Sequence, residues 1–124
     1  MTRSAYGTLA IPLIVIKNGE GPTALLMAGS HGDEYTGQVT LCRKICEVGT
    51  NDIRGRLIIK PIANMQAAMA SDRVSPIDHG NLNRSFPGTA DMTVTYQIAH
   101  YLDTVILPKY GVWLNLHSGC ASLD

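Results

Sequence analysis

Thr23-Ala24-Leu25-Leu26-Met27-Ala28-Gly29-Ser30-His31-Gly32-Asp33-Glu34 is the stretch on which the fold turns. Residues 24–28 are apolar without a break, a pattern that suits a strand covered on both faces. Gly29 and Gly32 then allow a tight turn. Helical spacing begins at Glu34, with Val39, Cys42, Ile45 and Cys46 on one stripe over residues 34–48 and Gly49 as a stop.

Similar segments lie on either side. Residues 11–17 read as a strand closed by the turn Asn18-Gly19-Glu20-Gly21-Pro22, and residues 55–62 and 111–116 as two more. A helix is expected over 92–107, with Ile98, Leu102, Val105 and Ile106 on one stripe, Thr89 or Asp91 as N-cap and Pro108 as terminator. Residues 63–70 are helix-prone but short. Residues 71–90 are rich in Gly, Pro, Asn and Asp and lack periodicity; a loop of that length in a compact domain is usually functional. Strands interleaved with helices define an α/β protein, here one domain over residues 1–124.

Composition narrows the function. Ten basic residues balance ten acidic ones, so the chain carries no electrostatic footprint for nucleic acid or an anionic membrane. The apolar run over 9–16 contains Pro12 and is too short to span a bilayer. Three cysteines, Cys42, Cys46 and Cys120, cannot all pair, and no C-x-x-C pattern is present. A reducing compartment, hence the cytoplasm, is expected, with Cys42 and Cys46 as small buried thiols on one helix.

Three polar clusters carry chemistry. His31 and Glu34 stand three apart at a turn after a strand, where imidazole and carboxylate can converge on one metal; the plain alternative is a helix start capped by Ser30 or Asp33. Asn115-Leu116-His117-Ser118-Gly119 closes the last strand. His117 alone reads as a hydrogen-bonded histidine at a strand end, but with His31 and Glu34 it completes a three-ligand set that leaves a position for water. In the long loop, Asn83 and Arg84 suit a substrate carboxylate, Arg84 as a bidentate fork; turn hydrogen bonds and a surface ion pair are the alternative.

In order, His31-Gly32-Asp33-Glu34, Asn83-Arg84-Ser85-Phe86-Pro87-Gly88 and Leu116-His117-Ser118-Gly119 resemble the succinylglutamate desuccinylase/aspartoacylase family, relatives of the zinc carboxypeptidases. The segments Val15-Ile16-Lys17-Asn18-Gly19-Glu20-Gly21-Pro22 and Ser75-Pro76-Ile77-Asp78 resemble its ectoine-degradation branch, whose members deacetylate N-acetyl-2,4-diaminobutyrate. The resemblance implies a carboxypeptidase-like mixed sheet flanked by helices, one zinc ion per chain on His31, Glu34 and His117, and a small N-acyl amino acid as substrate. It also implies that Asn83 and Arg84 bind the substrate carboxylate and that Arg73 polarises the scissile carbonyl.

Two departures stand out. Many relatives have an acidic residue before Leu-Asn-Arg; here Asn81 replaces a carboxylate that would orient a metal ligand. The family's general-base glutamate lies well beyond the third ligand, past Asp124, so the chain is expected to be a truncated, incomplete and weakly active part of the catalytic domain. The alternatives are a zinc carboxypeptidase and an inactive zinc-binding fragment. An incomplete sheet leaves an edge or apolar face open, which makes a homo-oligomer an expectation as well.

Overall fold

The protein was analysed as a computed structural model that describes residues 7–119. Four strands, β1 (Ile14–Asn18), β2 (Thr23–Ala28), β3 (Gly55–Lys60) and β4 (Val112–Leu116), form one sheet in the order β1-β3-β2-β4. β3, β2 and β4 run parallel, and β1 is antiparallel to β3. The expected mixed α/β sheet is therefore present, with trimmed ends. β1 starts at Ile14, where pairing with Ile59 begins, and β3 stops before Pro61, which has no N–H for a ladder.

Among the described residues there are three α-helices, α1 (Tyr35–Glu47), α2 (Met65–Ala70) and α3 (Val94–Tyr101), of which α1 and α3 carry residues that pack on the sheet. After β2 the chain passes through α1 to β3 on one side; after β3 it passes through α2, the long loop and α3 to β4 on the other. The two connections also lie on opposite faces. Leu25, Met27 and Ile58 pack with Leu82, Ala99, Leu102 and Ile106 on the α3 face, whereas Ala28 and Ile59 pack with Leu41 on the α1 face. The crevice between the carboxyl ends of β2 and β4 is thus a topological switch point, the usual ligand site of such sheets. Lys60, at the end of β3, is also buried, and burial pulls its ammonium down to about 8.

Several expectations need correction. The strands are not all covered on both faces: among the described residues β2 and β3 are central, but β1 and β4 are edges, and Val15, Val112, Trp113 and Leu114 are at least half exposed. The buried stripe of α1 is Gly37, Gln38 and Leu41, with Ile45 packed beside it, while Val39, Cys42 and Cys46 face outward. Close approach decides that rotation. A Cβ on Gly37 would lie 3.0 Å from the Leu116 Cβ and 3.2 Å from the Ala28 Cβ, so the residue without a side chain lies against the sheet. Cys120 lies outside the described residues.

The last helix is capped at Thr93, not at Thr89 or Asp91. Asp78 reaches it from the long loop, accepting from the Thr95 N–H at 2.8 Å and the Thr95 hydroxyl at 2.7 Å. Pro108 does not end the helical path. α3 passes into a π turn (Leu102–Ile106) and then a 3-10 turn (Leu107–Lys109) that contains the proline near its start, where a missing N–H costs nothing.

Candidate metal centre

Strand register brings the two histidines together. Ala28 is opposite Leu116 in the parallel β2–β4 pair, so His117, one residue beyond β4, and His31, three beyond β2, emerge at the same end of the sheet. The path to His31 is tightly fixed. Gly29 takes a φ of +69°, and a Cβ there would press on the Ile62 Cα at 3.1 Å. A Cβ on Gly32 would collide with the Ala67 carbonyl, so the turn lies directly on α2. Gln38 Nε2 donates to the Gly32 carbonyl at 3.0 Å and to that of Glu34 at 3.3 Å, tying the turn to α1.

Glu34 occupies the N-cap position of α1, yet its side chain makes no cap hydrogen bond, and neither Ser30 nor Asp33 takes that role. Its carboxylate turns inward. His31 Nδ1 lies 2.8 Å from Oε1 and His117 Nδ1 lies 2.9 Å from Oε2. The Ser118 N–H donates to Oε2 at 3.2 Å, and Arg73 Nη1 forms an ion pair with Oε1 at 3.5 Å. Burial alone would raise the Glu34 carboxyl, but the bonds from His31, His117 and Ser118 outweigh it and hold the group below its usual range. One ligand atom from each of His31, Glu34 and His117 lies within 4.8 Å of the others.

These residues suit a cation. Both ring nitrogens of His31 face oxygen, Nδ1 towards Glu34 and Nε2 towards Asn81 Oδ1 at 3.2 Å, and a neutral ring has one hydrogen to offer them. A metal on Nδ1 leaves the Nε2 hydrogen for Asn81. Two imidazoles and a carboxylate form the three-ligand set of hydrolytic zinc sites, which keep a position open. Here the open side is that of His117 and Arg73, whose side chains are 35% and 45% exposed, while His31 and Glu34 are buried.

The structure thus gathers His31, Glu34, His117 and Arg73. Asn83 and Arg84 are not in this cluster; their exposed side chains stand on a 3-10 turn (Leu82–Arg84) that begins at Asn81. Asn81 links the two places, because its Oδ1 also accepts from the Asn83 N–H at 3.1 Å. An amide therefore reaches His31 where an orienting carboxylate was expected to be lost. Sequence reading missed Gln38 and passed over Asn115 and Ser118 beside His117, since only the folded backbone shows which short polar side chains face a ligand.

A mixed α/β sheet with a histidine–carboxylate–histidine cluster at its switch point defines the class: an α/β protein whose centre could hold a single metal ion. Residues 20–124 match the model of the succinylglutamate desuccinylase/aspartoacylase catalytic domain, and the chain belongs to that family. It is 50% identical over 121 residues to the N-alpha-acetyl-L-2,4-diaminobutyric acid deacetylase of Halomonas elongata, covering 98% of this chain and 35% of that protein. The product-bound structure of the ectoine utilization protein EutE (DoeB) from Ruegeria pomeroyi superposes with a TM-score of 0.90 at 52% identity, over 94% of this chain and 36% of that one. A succinylglutamate desuccinylase from Silicibacter sp. TM1040 gives a TM-score of 0.91 at 50% identity, with the same coverage of 94% and 36%. The chain spans about a third of the length of these relatives.

Proposed function

We propose that the protein is a zinc-dependent hydrolase that cleaves the amide bond of an N-acylated amino acid, with N-acetyl-2,4-diaminobutyrate as its substrate. The observation that carries this reading is the pair of histidines, each presenting Nδ1 to a different oxygen of Glu34. His31, Glu34 and His117 are its metal ligands. A zinc ion held there supplies Lewis acidity and a water whose pKa is lowered towards about 7.

The chain's own residues do the rest. Arg73, paired with Glu34 on the exposed side, is the guanidinium that stabilises the oxyanion developing on the scissile carbonyl. Asn83 and Arg84 hold the amino acid's carboxylate and so fix the amide over the centre. Among the described residues no carboxylate besides Glu34 joins the cluster, and in this reading Glu34 is a ligand. The family likeness implies a general-base carboxylate in addition to these residues.

Cytoplasmic location belongs to the same reading. Cys42 and Cys46 are exposed free thiols, which suit a reducing compartment, and no helix among the described residues is long and apolar enough to cross a membrane.

Elemental analysis of the intact protein, joined to assays on N-acetyl-2,4-diaminobutyrate and a short peptide, tests the proposal. One zinc per chain and hydrolysis of the N-acyl amino acid are expected. Hydrolysis of the peptide alone indicates a carboxypeptidase instead. Stoichiometric zinc without hydrolysis of either indicates a binding module.

A further inference from the structure

Asn83 and Arg84 stand on a stretch of loop that is fastened to α3 at both ends. The first fastening is Asp78. Its Oδ2 accepts from the Thr95 N–H at 2.8 Å, and its Oδ1 accepts from the Thr95 hydroxyl at 2.7 Å and the Gly80 N–H at 3.1 Å. The Thr93 side chain bonds to the same carboxylate. A Cβ on Gly80 would fall on the Thr95 side chain, so the loop backbone lies directly on the helix there. The second fastening is Gly88, whose φ is +75° and whose missing side chain lets it lie against the backbone of Tyr96 and His100.

Between these points the loop is held from within. Leu82 is fully buried with Ala99 and Leu102, and the Asn81 carbonyl accepts from the Arg84 N–H at 2.9 Å and the Ser85 hydroxyl at 2.8 Å. Thr95 and Ala99, both fully buried, are four residues apart and so lie on one stripe of α3, about 6 Å along its axis. The segment that carries Asn83 and Arg84 is thereby folded back over a single turn of helix, with those two side chains outward.

The choice of cap points to a role beyond helix stability. Thr93 is the N-cap residue and a hydroxyl there commonly caps its own helix, yet its side chain makes no cap hydrogen bond. A carboxylate 17 positions away does so instead, and this couples the start of α3 to the loop. A guanidinium fork needs a defined angle to a carboxylate, and a grip whose backbone is ordered beforehand loses less freedom on binding.

We propose that Asp78 is a positioning residue for substrate: by fastening the loop to Thr95 it presets Asn83 and Arg84 for the carboxylate of the N-acyl amino acid. The proposal rests on the reading of Asn83 and Arg84 as the carboxylate grip. It assigns Asp78 an effect on binding, exerted through Arg84, that a helix cap alone does not have.

Steady-state kinetics of the intact, zinc-loaded protein on N-acetyl-2,4-diaminobutyrate test it, with calorimetric affinity for the product 2,4-diaminobutyrate as a readout that needs no turnover. Asp78→Asn should raise KM and weaken product binding about fivefold or more, the fold-change equivalent of one lost cap, with kcat nearly unchanged. Thr95→Val, which removes the hydroxyl but keeps the N–H, should act in the same direction more weakly, and Thr95→Ser should restore the parental KM. In an Arg84→Ala background, Asp78→Asn should raise KM much less than it does alone, because the group it positions is gone. A lowered kcat at parental KM, or equal KM increases in both backgrounds, leaves Asp78 a helix cap and overturns the proposal. Should Asp78→Asn not fold, parental KM and product affinity in Thr95→Val overturn it. Parental KM and product affinity in Arg84→Ala overturn the reading of Arg84, and this proposal with it; a KM raised by Arg84→Ala but not by Asp78→Asn overturns this proposal alone.

Discussion

His117 Nδ1 lies 2.9 Å from Glu34 Oε2, joining residues 83 positions apart in sequence through the β2–β4 register. Glu34 is both the bridge between the two histidines and the acceptor for Ser118. Replacing it with glutamine keeps the shape but removes the charge. Glu34→Gln should lower zinc affinity by more than the roughly 10–100-fold typical when only a ligand's supporting hydrogen bond is lost. Calorimetric zinc titration measures this, and an affinity within a fewfold of the parent would contradict ligation by Glu34.

Arg73 and Arg84 should separate kinetically. Arg73 stands 3.5 Å from Glu34, whereas Arg84 is exposed on its turn. In the intact protein, Arg73→Ala should lower kcat by roughly 10²–10³, the scale for losing one oxyanion donor. Arg84→Lys keeps the charge but loses the fork, so KM should rise more than kcat falls. Steady-state rates on N-acetyl-2,4-diaminobutyrate decide the matter, and the reverse pattern would exchange the two roles.

Asp78 makes stability sensitive to acid. Burial alone would raise its carboxyl, but bonds from the Thr95 N–H and hydroxyl, Thr93 and the Gly80 N–H bring it down from 3.8 to about 2. A carboxyl depressed in the folded state stabilises above its unfolded value, and that contribution is lost as pH falls from about 4 through 2. Thermal denaturation should therefore show a decline in this window that is smaller in Asp78→Asn. At neutral pH, Asp78→Ala should cost about 1 kcal/mol, the scale of a lost helix cap.

Trp113 marks the open side of the sheet. Among the described residues β4 is an edge strand, and Val112, Trp113 and Leu114 are 66%, 50% and 51% exposed. Unpaired backbone beside apolar side chains is a template for association. Light scattering of the 124-residue chain should show self-association that Trp113→Lys reduces. A monodisperse parent would remove the expectation.

Local chemistry in the chain was enough to read its strands, its turns and the residue types of its candidate metal centre. The apolar run 24–28 predicts β2, the glycines after it predict a turn, and His31 with Glu34 announces a possible ligand pair, because strand pattern and turn propensity are short-range properties. Only the tertiary structure decided that Gly37, Gln38 and Leu41 form the buried face of α1 in place of the more apolar Val39, Cys42 and Cys46. Helix rotation follows from how closely a backbone can approach the sheet, which hydrophobicity alone does not encode. The same holds for the Asp78 cap on α3 and for the asparagines behind both histidines. Those contacts join residues 17 to 50 positions apart, or depend on which way a strand-end side chain faces, and so they exist only once the chain has folded.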